Sequence, residues 1–216
     1  MDSYIEFLKH FNITEDEFFK WGMEANIFPQ ENKVAAEWDA LKKRLFCDEQ
    51  VYIRGYGRDA HGTWLYKELY RSVFNNNHIE KDPSNNMAPH KLIVRLTDKK
   101  VNREIYNYQV SHIWGHTKNP LMFEAPWNIC YTPKMFDPFT GHEAGGEFPT
   151  EYKRIFLAKA HELYQSYIDE YNEILIKYDV EKHIEKFLGN LPDDLSEKEK
   201  KQFEKDVRNE LSPISE

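Results

Sequence analysis

The sequence predicts an α+β protein. Amphipathic helical patterns fill both ends of the 216-residue chain, and two aromatic, β-branched strand patterns lie close together near its middle. Clusters of Gly, Pro and Asn separate the two kinds of pattern. With 40% hydrophobic and 15% aromatic residues, the chain can bury a real core, and one domain with an appendage is the natural expectation. Three regions are expected: a helical N-terminal region over 1–50, a central region over 51–148, and a C-terminal helical region with a charged tail over 149–216.

The elements follow in order. Ile5, Phe7, Leu8 and Phe11 form an apolar stripe within a helical stretch over 3–26, and Thr14 before three acids is an N-cap pattern. "ENKVAAEWDALKKRLF" repeats Val34, Trp38, Leu41 and Leu45 at helical spacing. A short strand from Val51 to Arg54 leads into "RGYGRDAHGT", then a helix from about Thr63 to Phe74. "NNNHIEKDPSNNMAPH" reads as a polar loop, and "KLIVRL" as a short apolar segment of uncertain type. "IYNYQVSHIWG" reads as a strand stopped by Gly115, and "FEAPWNICYTP" as a second strand stopped by Pro133. "KMFDPFTGHE" then suggests one helical turn. A long helix runs on from Pro149, with Phe156, Ala160, Leu163, Tyr167 and Tyr171 on one face. The tail from Leu191 is expected to be a solvated helix or partly disordered.

Composition excludes several classes. No apolar run approaches a membrane span, and the acidic, amphipathic start is neither a signal nor a transit peptide pattern. Cys47 and Cys130 form no CxxC pair, so a four-cysteine zinc site is excluded. Cys130 is expected as a buried thiol, and the cytoplasm as the compartment. The formal net charge of −8 argues against a nucleic-acid partner. Its distribution does not: between Lys91 and Lys134 seven basic residues face Asp98, Glu104 and Glu124, and the acidic excess lies at the two ends.

The residues that carry chemistry gather between Asn107 and Glu143. A strand bearing His112, a loop, a strand opened by Asn128 and a short helix with a metal-ligand residue follow one another. That order, in "YQVSHIWG" through "APWNI", resembles the HNH, or ββα-metal, endonucleases of the restriction type, over about residues 105–143 of the chain. "NICYTPK" is similar to the corresponding run of colicin-type DNases. The resemblance implies an α+β fold around a ββα-metal hairpin and metal-dependent hydrolysis of DNA, with the DNA expected to be double-stranded. It implies His112 as the general base and one divalent cation, Mg²⁺ with Mn²⁺ able to substitute. It leaves Asn128 either to hold the loop or to ligate the metal.

Asn128 and Asp137 are the preferred metal ligands, followed by His142, with Glu143 next to it. Ser111 stands where many family members carry Asp or His, and is a weak ligand. His116 is a competing base. Expected contacts to the DNA backbone are Arg54, Arg58, Arg95, Lys99, Lys100, Arg103 and Lys118. The glycine segment, with His61 beside Arg58, lacks the GK[ST] of a nucleotide-binding loop but suits a backbone clamp. A restriction or defence role is expected, and cutting a palindrome would call for a homodimer or two binding events. The rival expectation is a non-catalytic DNA-binding or interaction protein of a defence system that keeps the fold.

Overall fold

Helix caps shape the N-terminal region of the computed structural model, which describes residues 2–55, 60–141 and 144–215, the side chains of Ala60 and His61 excepted. The Asp2 carboxylate accepts the Tyr4 N–H at 2.9 Å and starts α1 (Ser3–Phe11), which ends on left-handed Asn12. Thr14 and Glu17 form a reciprocal capping box that starts α2 (Glu15–Ala25). α3 (Glu31–Phe46) buries the expected stripe of Val34, Trp38, Leu41 and Leu45. Gly22 lies against Phe136 and Tyr152 so closely that a Cβ there would collide with both rings.

β1 (Val51–Ile53) is followed by α4 (Ala60–Phe74) and β2 (Ile79–Lys81), and the two strands pair in parallel, Val51 opposite Ile79 and Ile53 opposite Lys81. Parallel strands need a crossover, and α4 supplies it. β2 and the start of α5 (Met87–Thr97) occupy the stretch expected to be a polar loop. A three-residue strand is too short to show a period. The cap of α5 comes from a distance: the buried Asp82 carboxylate accepts N–H groups of Ser84, Met87 and Ala88 at 2.7–3.0 Å.

β3 (Tyr108–His112) and β4 (Ile129–Pro133) form an antiparallel hairpin, Tyr108 opposite Pro133 and His112 opposite Ile129. The second strand is shorter than expected, because α6 (Pro120–Phe123) and the turn after it take up Phe123–Trp127. α7 (Asp137–Thr140) is a single turn, with Pro138 in its first positions where no N–H is missed. One hairpin face packs Val110, Ile129 and Tyr131 against Leu92, Ile93 and Leu96 of α5. Cys130 faces the main core. It is buried as expected, and burial pushes its thiol up to about 12.

α8 (Glu147–Lys177) breaks helical geometry at Tyr164. α9 (Val180–Leu188) and α10 (Glu197–Glu210) complete the chain. The tail is not a solvated appendage: Leu195, Phe203, Val207, Leu211 and Ile214 enter the main core, which collects side chains from Leu8 onwards. The three expected regions therefore share one core. The protein mixes helix with short strands in the broad α+β manner. Among the described residues no helix is long and apolar enough to cross a membrane.

Candidate functional site

His112 ends β3 with its imidazole Nε2 3.0 Å from the Phe123 carbonyl. A carbonyl only accepts, so Nε2 carries the proton and Nδ1 carries the lone pair. The ring lies nearly parallel to that of Phe123, 5.5 Å between centroids. Burial pushes the imidazole down to about 4. The carbonyl bond opposes this, and the charges of Arg54 and His90 reinforce it. His112 is therefore neutral near pH 7, and its other ring nitrogen makes no hydrogen bond among the described residues.

Asn128 holds the loop between the strands. Its side-chain oxygen accepts the Trp114 N–H at 2.9 Å, and its amide donates to the carbonyls of Gly115 (3.0 Å) and Met122 (2.9 Å). The side chain is fully buried. Of the two roles open to it, loop-holding matches these bonds: the oxygen that would ligate a metal is buried and already accepts the Trp114 N–H. Two consecutive left-handed residues follow β3: Gly115 at φ +73° and His116 at φ +51°. Every other non-glycine residue with positive φ among those described is Asn or Asp, and His116 takes the same left-handed conformation, which is uncommon for a residue with a Cβ. Its Nδ1 lies 3.0 Å from the Glu210 carbonyl, and burial lowers its pKa.

Asp137 opens α7, and the Ser111 hydroxyl donates to its carboxylate at 3.0 Å. Ser111, His112, His116 and Asp137 all line one open cavity of about 840 Å³, together with Arg54 and Lys153. Arg54 is placed by the end of β1, where its N–H donates to the Thr117 carbonyl of the loop at 2.8 Å. Lys153 reaches in from α8, bonded to the Gly141 carbonyl at 3.2 Å. The other wall is Glu210, at the end of α10. Its carboxylate accepts the Lys118 N–H at 2.9 Å, and its carbonyl also accepts the Asn119 amide at 2.8 Å.

The expected DNA-contact residues divide. Arg54 is in the cavity. Arg95 forms a two-pronged ion pair with Glu37, at 2.8 and 2.9 Å. Lys118 lies 4.0 Å from Asp206 and over the Tyr66 ring. Lys99, Lys100 and Arg103 are exposed on the connection from α5 to β3. None of these last five lines the cavity, so the basic segment and the histidine site do not coincide. Arg58, His142 and Glu143, and the side chain of His61, lie outside the described residues. Lys153, His90 and Glu210 were not anticipated. Glu210 had a signal: a carboxylate set between Val207 and Leu211 on an otherwise apolar stripe.

For a metal, the described donors are few. No group of three or more His, Cys, Asp or Glu among them is arranged to hold an ion. Of the ligands expected from the sequence, Asp137, with the Ser111 hydroxyl turned toward it, is the carboxylate on the cavity. One carboxylate fits a hydrated Mg²⁺, which keeps several waters and takes further oxygens from a bound phosphate. It does not fit an all-protein cage.

Residues 29–216 match the family model described as uncharacterised protein PM1201. The chain belongs to this family. It is 43% identical over 189 residues to the uncharacterised protein PM1201 of Pasteurella multocida (strain Pm70), covering 86% of each chain. No solved structure matches. All the cavity residues lie inside the family match, whereas α1 and α2 precede it.

Proposed function

We propose that the chain is a metal-dependent endonuclease with a ββα-metal (HNH-type) core. It would hydrolyse the phosphodiester bonds of DNA, expected to be double-stranded, in a cytoplasmic restriction or defence role. One observation carries this reading. A histidine with a free ring nitrogen, a loop held by a buried Asn, and an Asp on the next helical turn converge on one cavity that also holds an arginine.

In the mechanism, the Phe123 carbonyl fixes the His112 tautomer, so Nδ1 can take a proton from water. The low pKa keeps that nitrogen free of a proton before substrate arrives. A phosphate anion bound nearby would then raise its basicity. Arg54 offers a fork of donors to the non-bridging phosphate oxygens. Asn128 keeps the loop, and with it Phe123, in register. Asp137, steadied by Ser111, would hold the Mg²⁺, which supplies positive charge to the phosphate when bound. A palindromic target would be met by a homodimer or by two successive events.

The test is nicking of supercoiled plasmid by purified protein with Mg²⁺ or Mn²⁺, with Asp137→Asn and the metal-free reaction as controls. Cleavage that needs both metal and Asp137 supports the reading. One observation favours a second reading: with Asn128 sequestered and Ser111 uncharged, Asp137 is the one carboxylate among the expected ligands that the described residues bring to the cavity. A non-catalytic DNA-binding or interaction protein of a defence system would bind the plasmid and leave it intact with either ion.

A further inference from the structure

The cavity holds a carboxyl group that the proposed base and metal do not use. Glu210 is carried to the hairpin loop by the end of α10, some ninety residues further along the chain. Three hydrogen bonds fix it there: the Lys118 N–H to its Oε2, and His116 Nδ1 and the Asn119 amide to its backbone carbonyl. Asn119 is itself held by the Tyr171 hydroxyl at 3.0 Å, and that hydroxyl donates to Ser212. Only one of the two carboxyl oxygens is engaged. Oε1 makes no hydrogen bond or ion pair among the described residues. The residue is 8% exposed, and the surface it keeps lies on the cavity shared with His112 and Arg54.

We propose that Glu210 is the general acid of this site, delivering a proton from Oε1 to the oxygen that departs from phosphorus. The inference rests on the nuclease reading. Oε2, accepting an N–H, is the carbonyl oxygen of a neutral carboxyl group, which leaves Oε1 to carry the proton. The environment agrees. Burial raises the carboxyl pKa and Asp206 adds to it, while the Lys118 N–H bond and the charges of Lys118 and Arg54 oppose.

The step balances. His112 Nδ1 takes one proton from water as the water oxygen bonds to phosphorus. The bond from phosphorus to the 3′ oxygen breaks, and the Glu210 proton goes to that oxygen. The products are a 5′-phosphate and a 3′-hydroxyl. The imidazolium and the carboxylate then return to their starting forms by exchange with solvent.

The test compares two substrates in wild type and Glu210→Gln, a variant that keeps an oxygen to accept the Lys118 N–H. One substrate is a DNA duplex, whose alkoxide needs a proton to leave. The other is thymidine 5′-(4-nitrophenyl phosphate), whose nitrophenolate leaves without one. Glu210→Gln is expected to slow duplex cleavage by about two orders of magnitude or more and to leave the nitrophenyl ester rate nearly unchanged. It should also remove the alkaline limb of the duplex pH–rate profile. The ratio of the two rates cancels any loss of folded protein. Equal slowing of both substrates would make Glu210 a structural clasp and overturn the proposal. So would unchanged cleavage of both, with the nuclease reading intact. If wild type cleaves neither substrate with Mg²⁺ or Mn²⁺, the nuclease reading fails and the acid assignment falls with it.

Discussion

The two small sheets use buried polar groups in opposite ways. Around β1 and β2, Glu124, Asp82 and Asn76 are fully engaged. Glu124 accepts the Tyr52 N–H at 2.8 Å and pairs with Arg44 at 3.1 Å. Asp82 takes three backbone N–H groups, and the Asn76 amide serves three carbonyls. Around β3 and β4, His112, His116 and Glu210 all line a cavity, and each spends one side-chain atom on the backbone and leaves another without a hydrogen bond among the described residues. Saturated groups lower the free energy of one conformation. Partly satisfied ones are costly to keep buried, and they are also the groups that can exchange protons with a ligand.

The sharpest way to break this contrast is His112→Ala. Plasmid cleavage should fall by two or more orders of magnitude, a typical general-base contribution, while gel-shift binding persists. Near-normal cleavage would move the base to His116.

Acid titration sharpens the contrast next. The folded pKa of His112 is depressed from 6.5 to about 4, so its contribution is fully present above the unfolded value and is lost as pH falls through the folded one. Between those values the unfolded chain binds a proton the native site refuses, at up to about 3 kcal/mol. His90 and His116 are shifted the same way, and Glu210 opposes. Urea midpoints should drop between pH 7 and 5 in wild type and drop less in His112→Gln. Equal drops would show that the imidazole is solvated.

Asn128→Ala and Asp82→Ala form a matched pair. Each removes a fully buried side chain with three bonds to backbone, and each should cost on the order of 2–4 kcal/mol by denaturant titration. Only the first should also abolish cleavage at temperatures where both variants are folded. Equal activities would remove Asn128 from the site.

The smallest effect is expected at the basic segment. Lys99→Gln with Lys100→Gln should leave stability almost unchanged and flatten the salt dependence of DNA binding by a slope of at most about 2. Arg54→Gln should weaken binding more than the pair does. The reverse ranking would make the segment, rather than the cavity, the main phosphate contact.

Much of this was legible in the sequence, and the reasons are local. Thr14 and Glu17 announce α2, and a four-residue stripe announces α3. His112 and Asn128 could be related because a short hairpin brings near residues together. β2 was hidden because three residues carry no period, and α5 because its cap lies outside the helix. The burial of α10 was masked by charge, although Phe203, Val207 and Leu211 recur every four residues. Glu210 was missed as a site residue because its partners lie some ninety positions away, a distance over which no pattern in the chain reports contact.

The same distance sets an order of events during synthesis. Residues 116–119 leave the ribosome long before the residues at 210–212 that hold them. At about 5–20 residues per second the interval is roughly 5–20 s. Through it, the histidine loop lacks the bonds that hold it in its final shape. If the chain cuts DNA as proposed, it would thus be mute while nascent and active only after α10 has been made and docked.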